Sequence, residues 1–390
     1  MTKVRVVVGL SGGVDSSVTA AILVEQGYDV IGVFMRNWND NSVVINNECP
    51  WIDDSNDALL VANKLGIPFQ VLDLSEIYKK RIVDYMHAEY ERGRTPNPDV
   101  LCNREIKFDV FLDAALKLGA QYVATGHYCR KESIDKNGRT IHRLLAGVDL
   151  NKDQSYFLCQ INQYQLSKAL FPIGHLQKHE VRELAKKYDL ITAEKKDSQG
   201  LCFIGKVKLP VFLQEQLKPK LGDVIEIDTQ HHCFNYPDQE IETICRPYQL
   251  IASYGKVIGR HQGVQFYTVG QRKGLGIGGT ELPIFVIAKD STNNIIYVGK
   301  GDSHAGLLRK GLFIPNKDLH WIREDMALSI GEMEEFHVRI RYRQKLAKAN
   351  LIMKDSGLFI IFEEWMSSIA AGQFAAWYHG EELIGSGVID

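Results

Sequence analysis

Up to about residue 130 the chain alternates short apolar runs with segments of helical periodicity. The apolar runs are Lys3 to Leu10, Asp29 to Met35, Phe69 to Asp73 and Gln121 to Thr125. Between them the spacing predicts helices over about 14–26, 53–65, 76–92 and 104–118; the last carries Phe108, Phe111, Leu112, Ala115 and Leu116 on one side. Strands that are apolar throughout and separated by helices predict a parallel sheet covered on both faces. Ligands bind at the C-terminal ends of such strands. That edge holds Ser11 to Ser16, Met35 to Trp38, Asp73 to Ser75 and Gly126-His127.

Helical pattern continues to about 210, including Lys178 to Tyr188 and the polar loop "AEKKDSQGLCFIG". Short glycine-broken β-like runs follow: Asp223 to Ile227, Val264 to Val269, Pro283 to Ala288 and Ile295 to Val298. The expected architecture is an α/β domain with a parallel sheet over 1–210, a small β-rich central domain over 211–280, and a C-terminal β-barrel over 281–390. Residues 229–254 fit neither neighbour and read as an insertion.

Composition changes this picture little. The chain has 390 residues, 45% hydrophobic and 24% charged, which suits two or three globular domains. No run approaches the roughly 18 apolar residues of a membrane span, and "MTKVRVVV" lacks the pattern of a signal peptide. A cytoplasmic protein with no membrane partner is expected. A net charge of −2 argues against coating nucleic acid by bulk charge but allows a local basic stripe. The seven cysteines are dispersed, an odd number without a C-x-x-C pair, so a disulfide framework is not expected.

The first apolar run ends in "GLSGGVDSSVTA". A Walker loop would supply a lysine, and no GK[ST] occurs in the chain. Glycines allow close backbone approach to a phosphate, and the following helix offers its free N–H groups. Asp15 beside phosphate implies an intervening cation, Mg²⁺ being the natural one. The plainer alternative is a strand–turn–helix link with capping serines. As the first turn after the first strand, "SGGVDSS" resembles the PP-loop of the ATP pyrophosphatases, which adenylate a substrate oxygen and then displace it.

Two cysteines stand in polar loops. "GRTPNPDVLCNREIKF" places Cys102 ahead of the helix expected from Arg104, where a helix N-terminus lowers a thiol's pKa. "KKDSQGLCFIG" places Cys202 near Lys195 and Lys196, which also favour thiolate. Packing as small apolar residues is the alternative for both. The set "GLSGGVDSSV", "TPNPDVLCN", "ATGHY", "KDQSYFL", "DSQGLCFIG" and "YTVGQRKGLGIGG", continued by "RYRQ" and "AAGQFAAWY", resembles the tRNA-specific 2-thiouridylases.

The resemblance implies ATP-dependent adenylation of O2 of the wobble uridine, then displacement of AMP by sulfur. It implies that Gly9, Leu10, Ser11, Gly12, Gly13, Val14, Asp15 and Ser16 bind ATP phosphates, with Met35 and Gly126 contacting the nucleotide. Cys202 would carry a persulfide, and Cys102 would assist sulfur release by closing a transient disulfide. Asn97, Pro98 and Asp99 would face the target base; Asp99 is either an acid–base group or a helix cap. His127, Lys152, Asp153, Gln154, Arg341, Tyr342 and Gln373 would contact tRNA. Implied partners are wobble-uridine tRNAs (lysine, glutamate and glutamine acceptors) and a sulfur donor, either a cysteine desulfurase or a relay protein.

In "HVRIRYRQK" a two-residue period places Arg339, Arg341, Arg343 and Lys345 on one strand face, suited to phosphates or simply solvated. "GLGIGG" satisfies G-x-G-x-x-G, but the strand-like "TELPIFVIAKD" follows where a dinucleotide fold needs a helix. His231, His232 and Cys233 lack a second ligand pair at zinc-type spacing. Two rival readings are another PP-loop adenylating enzyme and an RNA-binding protein with an inactive nucleotide site. The first has no use for two thiols in polar loops, and the intact loop weighs against the second.

Overall fold

A computed structural model describes residues 3–38, 50–196, 209–214, 216–235 and 240–390. Strands β1 (Arg5–Gly9), β2 (Asp29–Arg36), β3 (Phe69–Asp73) and β4 (Tyr122–Ala124) form a parallel sheet in the order β3-β2-β1-β4. A hairpin, β5 (Cys129–Lys136) and β6 (Arg139–Ala146), leaves this sheet, and β7 (Ala169–Leu170) returns to its edge beside β4. Helices α1 (Val14–Glu25) and α2 (Pro50–Leu65) cover one face; helical residues 75–91 (α3) and 98–117 (α4) cover the other. Alternation along β1 explains the division. Val6 and Val8 point to α1 and α2, whereas Val7 joins Tyr78, Met86, Phe108 and Phe111 of α3 and α4.

Helix α4 starts earlier than the sequence pattern suggests. Asn97 caps it by accepting the Val100 N–H at 3.3 Å, and Pro98 occupies the first turn, where its missing N–H costs nothing. Cys102–Val110 is a widened π-type segment within the same helix.

The central sheet contains β8 (Gly222–Glu226), β9 (Lys256–His261), β10 (Ile284–Asp290) and β11 (Ile295–Lys300), ordered β10-β11-β8-β9. It runs across the boundary expected near 280 and ends at Lys300. The strand expected at Val264 to Val269 is instead a 3₁₀ turn, Val264–Phe266, entered through Gly263 at φ 139°. The Val264 N–H bonds the Asn294 side chain rather than a neighbouring strand.

Strands β12 (Leu308–Pro315), β13 (Leu319–Trp321), β14 (Met333–Arg339), β15 (Ala347–Lys354), β16 (Gly357–Ser367), β17 (Phe374–His379) and β18 (Glu382–Val388) build the C-terminal barrel. Its core packs Phe336, Leu351, Phe362 and Trp377. The β5–β6 hairpin joins this sheet through β6 and β18, so the α/β domain supplies two barrel strands. Its turn, Asn137-Gly138, has both φ angles positive, 56° and 76°, as a tight primed hairpin turn requires. Within 229–254, the short helix Ile241–Cys245 lies on β12 and β16: Glu242 pairs with Lys354, and Arg309 donates to the Cys245 carbonyl. That segment therefore fastens the central sheet to the barrel.

Candidate active site

The β1–α1 turn is built as a phosphate cradle. Gly12 has φ 72°, and a Cβ there would lie 2.2 Å from the Asp54 carbonyl oxygen, so a side chain is excluded. Gly13 caps α1 without a side chain, leaving the first amides of a 12-residue helix to a ligand. The Ser16 hydroxyl accepts the Ser11 N–H at 3.1 Å and donates to the Gly13 carbonyl at 3.1 Å, which fixes the loop shape. The neighbouring strand ends close in. A Cβ on Gly126 would lie 2.8 Å from the Ser16 nitrogen, and one on Gly9 would lie 3.2 Å from Met35 Cε. The loop therefore sits between Met35 and Gly126.

Asp15 does not fit its expected role toward Mg²⁺. Its carboxylate accepts Lys178 Nζ at 2.7 and 2.9 Å and the Tyr128 hydroxyl at 2.7 Å. The charge is matched within the protein. Lys178 opens α6, counting α5 as Gln163–Lys168 and α6 as Lys178–Lys187. It and Tyr128 are the site residues that sequence reasoning missed. Tyr128 lies within the quoted "ATGHY", but 163 positions separate Lys178 from Asp15 and no local signal joins them.

His127 is buried, with Nδ1 hydrogen-bonded to the Thr125 hydroxyl at 2.8 Å. Burial, then the nearby Lys107 charge, holds its pKa well below the ordinary histidine value, so the ring is neutral at pH 7. Asp153 is 2% exposed; it accepts the Gly147 and Ser155 N–H groups and pairs with Arg339 at 2.9 Å. A direct RNA contact by Asp153 is thereby corrected, because its oxygens are already bonded inside the protein. Gln154, half-buried, accepts the Tyr128 N–H at 3.0 Å and so ties its loop to the nucleotide side. Lys152 lies beside it, also half-buried.

Three domains meet at Thr95 to Asn97. Gln373, at the barrel's β17, donates to the Thr95 carbonyl at 2.7 Å and the Pro96 carbonyl at 3.2 Å. The Thr95 hydroxyl bonds that of Thr268 in the central domain at 3.3 Å. Arg341 donates to the Val269 carbonyl at 3.1 Å and the Ser368 carbonyl at 2.7 Å. The Tyr156 hydroxyl, beside the Asn97 side chain, donates to Ile340 and Phe374 carbonyls; Tyr342 packs on Phe157 with ring centroids 4.4 Å apart. Asn97, Arg341, Tyr342 and Gln373 are thus brought together around Tyr156 and Phe157. The one-face basic stripe is corrected. Strand β14 ends at Arg339, which is buried, and the chain then turns, with Arg343 at φ 64°. Arg341 is spent on carbonyls, and burial lowers its pKa from the usual arginine value.

Cys102 lies inside α4 rather than ahead of it, fully buried among Val100, Leu101 and Ile106. The helix N-terminus that would act on a thiolate belongs instead to Asn97 to Asp99; Asp99 is half-exposed in the first turn, and Asn97 is the cap. Cys202 falls outside the described residues. Lys195, expected to favour its thiolate, forms ion pairs with Asp54 at 2.7 Å and with Asp57. Burial pulls the Lys195 pKa down, but the two carboxylates together raise it. Cys129, Cys159 and Cys245 are buried, and burial raises each thiol pKa, to about 12 for the latter two.

The parallel sheet, the lysine-free glycine loop and the two β domains define a class by themselves. The family model described as tRNA methyl transferase HUP domain matches residues 4–206. Those described as tRNA methyl transferase PRC-barrel domain and Aminomethyltransferase beta-barrel domain match 244–300 and 313–389. The tRNA-specific 2-thiouridylase MnmA of Flavobacterium johnsoniae is 60% identical over 392 residues, covering 99% of both chains. That of Bacillus subtilis is 44% identical over 387 residues, covering 99% of this chain and 95% of its own. The domain descriptions speak of methyl transfer; the full-length relatives are thiouridylases, and their end-to-end match decides between them. The chain belongs to the tRNA-specific 2-thiouridylases, a family of sulfurtransferases.

Proposed function

We propose that this protein uses ATP to adenylate O2 of the wobble uridine in tRNA and replaces that oxygen with sulfur, releasing AMP and pyrophosphate. Gly9 to Ser16 hold the phosphates with backbone amides, and Met35 and Gly126 flank the nucleotide. Asn97, Pro98 and Asp99 face the target base, Asp99 acting on its protons. A base must leave the anticodon stack to reach this site. Tyr342, Gln373, His127 and the 152–154 loop line the tRNA side, with Arg341 bracing it through the Val269 and Ser368 carbonyls and Asp153 shaping its loop from inside.

Cys202 carries the sulfur as a persulfide supplied by a cysteine desulfurase or relay protein. Its outer sulfur bonds to C2 as AMP leaves. The Cys102 thiolate then attacks Cys202 Sγ, the S–S bond to the base-bound sulfur breaks, and 2-thiouridine departs. The Cys102–Cys202 disulfide left behind is reset by a thiol reductant. A disulfide needs Cα atoms within about 7 Å, so Cys102 must come out of its packed position during turnover. Substrates are the lysine, glutamate and glutamine tRNAs, and the setting is the cytoplasm.

What supports the reading is the junction at Thr95 to Asn97, where all three domains frame the N-terminus of α4 while Phe111 of the same helix lies against Gly9 of the nucleotide loop. Cys102→Ser and Cys202→Ser should each abolish thiolation while retaining ATP and tRNA binding. Normal thiolation by either variant contradicts the two-thiol route.

A further inference from the structure

Loss of the basic stripe leaves open which cations meet the RNA backbone near the target base. Arg339 is paired with Asp153, and Arg341 is committed to two carbonyls. The "GQRKG" turn of the central domain, Gly270 to Gly274, supplies others. Arg272 and Lys273 are exposed, and neither side chain makes an ion pair or hydrogen bond among the described residues. Two adjacent exposed cations with no ion pair among the described residues, in a chain whose net charge is −2, are a local electrostatic feature rather than a bulk one.

The turn is rigid and its position is fixed by the junction. Gly270 donates to the Val286 carbonyl at 2.8 Å and Val286 donates to the Gln271 carbonyl at 3.0 Å, stitching the turn to β10. The Gln271 side chain spans it, accepting the Thr268 N–H at 3.1 Å and donating to the Lys273 carbonyl at 2.9 Å. Gly270 has φ 87°, and a Cβ there would lie 2.5 Å from the Ser368 hydroxyl, so the turn seats directly on the barrel. Lys289 underneath donates to the Tyr267 carbonyl at 2.7 Å, and burial lowers its pKa to about 8. Arg272 is three residues from Val269, which Arg341 grips, and four from Thr268, which bonds Thr95. Three peptide steps span at most about 11 Å.

We infer that Arg272 and Lys273 bind phosphates of the single-stranded loop that presents the target base, with Arg341 as the brace that aims their turn. This rests on the tRNA reading above. A short, stiff cationic turn suits the task because a phosphate contact fixes the register of the RNA without reading its sequence. The glycines on either side, Gly270 and Gly274 with φ 87° and 83°, serve the turn's shape.

The test is tRNA affinity as a function of salt for the wild type, Arg272→Gln/Lys273→Gln, and the charge-preserving swap Arg272→Lys/Lys273→Arg, with ATP affinity as the folding control. Each lost single-strand phosphate contact lowers the log–log slope by about 0.7, so the glutamine variant should lose about 1.4. Its affinity gap to the wild type should then shrink about 25-fold across a tenfold rise in salt, while the swap keeps the wild-type slope. An unchanged slope in the glutamine variant overturns the inference and leaves the tRNA reading standing. A wild type that does not bind tRNA overturns both.

Discussion

Asp153→Asn is the substitution whose cost can be worked most directly from the structure. Asp153 and Arg339 are side chains 2% and 9% exposed, joined at 2.9 Å between the 147–155 loop and barrel strand β14. The Arg339 guanidinium also lies over the Tyr378 ring at 4.7 Å, and its Nε has no partner among the described residues. Asparagine can still accept the Gly147 and Ser155 N–H groups, so the backbone turn survives. What disappears is the one anion paired with this buried cation among the described residues. Breaking a buried pair from one side costs about 3–5 kcal/mol, because a desolvated charge is left uncompensated. Typical domain stability is about 5–15 kcal/mol, so the loss should be large. Asp153→Leu/Arg339→Met, which removes both charges, should recover most of it. Urea unfolding followed by tryptophan fluorescence reports the change, since Trp377 is fully buried in the barrel core. At low denaturant, where the variant is folded, its tRNA affinity should match the wild type. A loss below about 1 kcal/mol, or a double variant no more stable than the single, would refute the reasoning.

Two further outcomes follow from burial. Cys102 should react slowly with iodoacetamide in the resting protein and faster once ATP and tRNA are added; an opening that costs about 3 kcal/mol slows labelling roughly 10²-fold. Rapid labelling of the resting protein would remove the need for a conformational step. His127 has its folded pKa held below the unfolded value, so the unfolded chain takes up a proton first and stability falls as pH drops below about 6.5. His261, His304 and His320 are also held low by burial and add to the effect. Each contributes at most about 1.4 kcal/mol per pH unit, and His127→Gln should flatten the urea-midpoint profile between pH 7 and 5 by one such share. An unflattened profile would mean that His127 is protonated when folded.

The nucleotide half was legible because its signals are local. An unbroken apolar strand, a glycine turn and a helix sit within residues 5–25, and the structure keeps that order. The β5–β6 hairpin is also locally encoded, by Asn137-Gly138 between two polar-rich strands, but so little of it is apolar that a hydrophobic period does not mark it. The start of α4 is written in "NPD", six residues ahead of the start expected at Arg104, so Cys102 lies inside the helix. The basic stripe failed because a period of two was extended beyond the end of its strand. The pairs Asp15–Lys178 and Asp153–Arg339 lie 163 and 186 positions apart, and only the assembled domains bring them together.

The central claim is tested most directly by mass spectrometry of nucleosides from unmodified tRNA incubated with the protein, ATP, Mg²⁺ and a persulfide donor. The account predicts new 2-thiouridine at the wobble position that requires both ATP and Cys202. Formation of AMP and pyrophosphate with the tRNA unchanged, when the donor has demonstrably loaded Cys202, would contradict it.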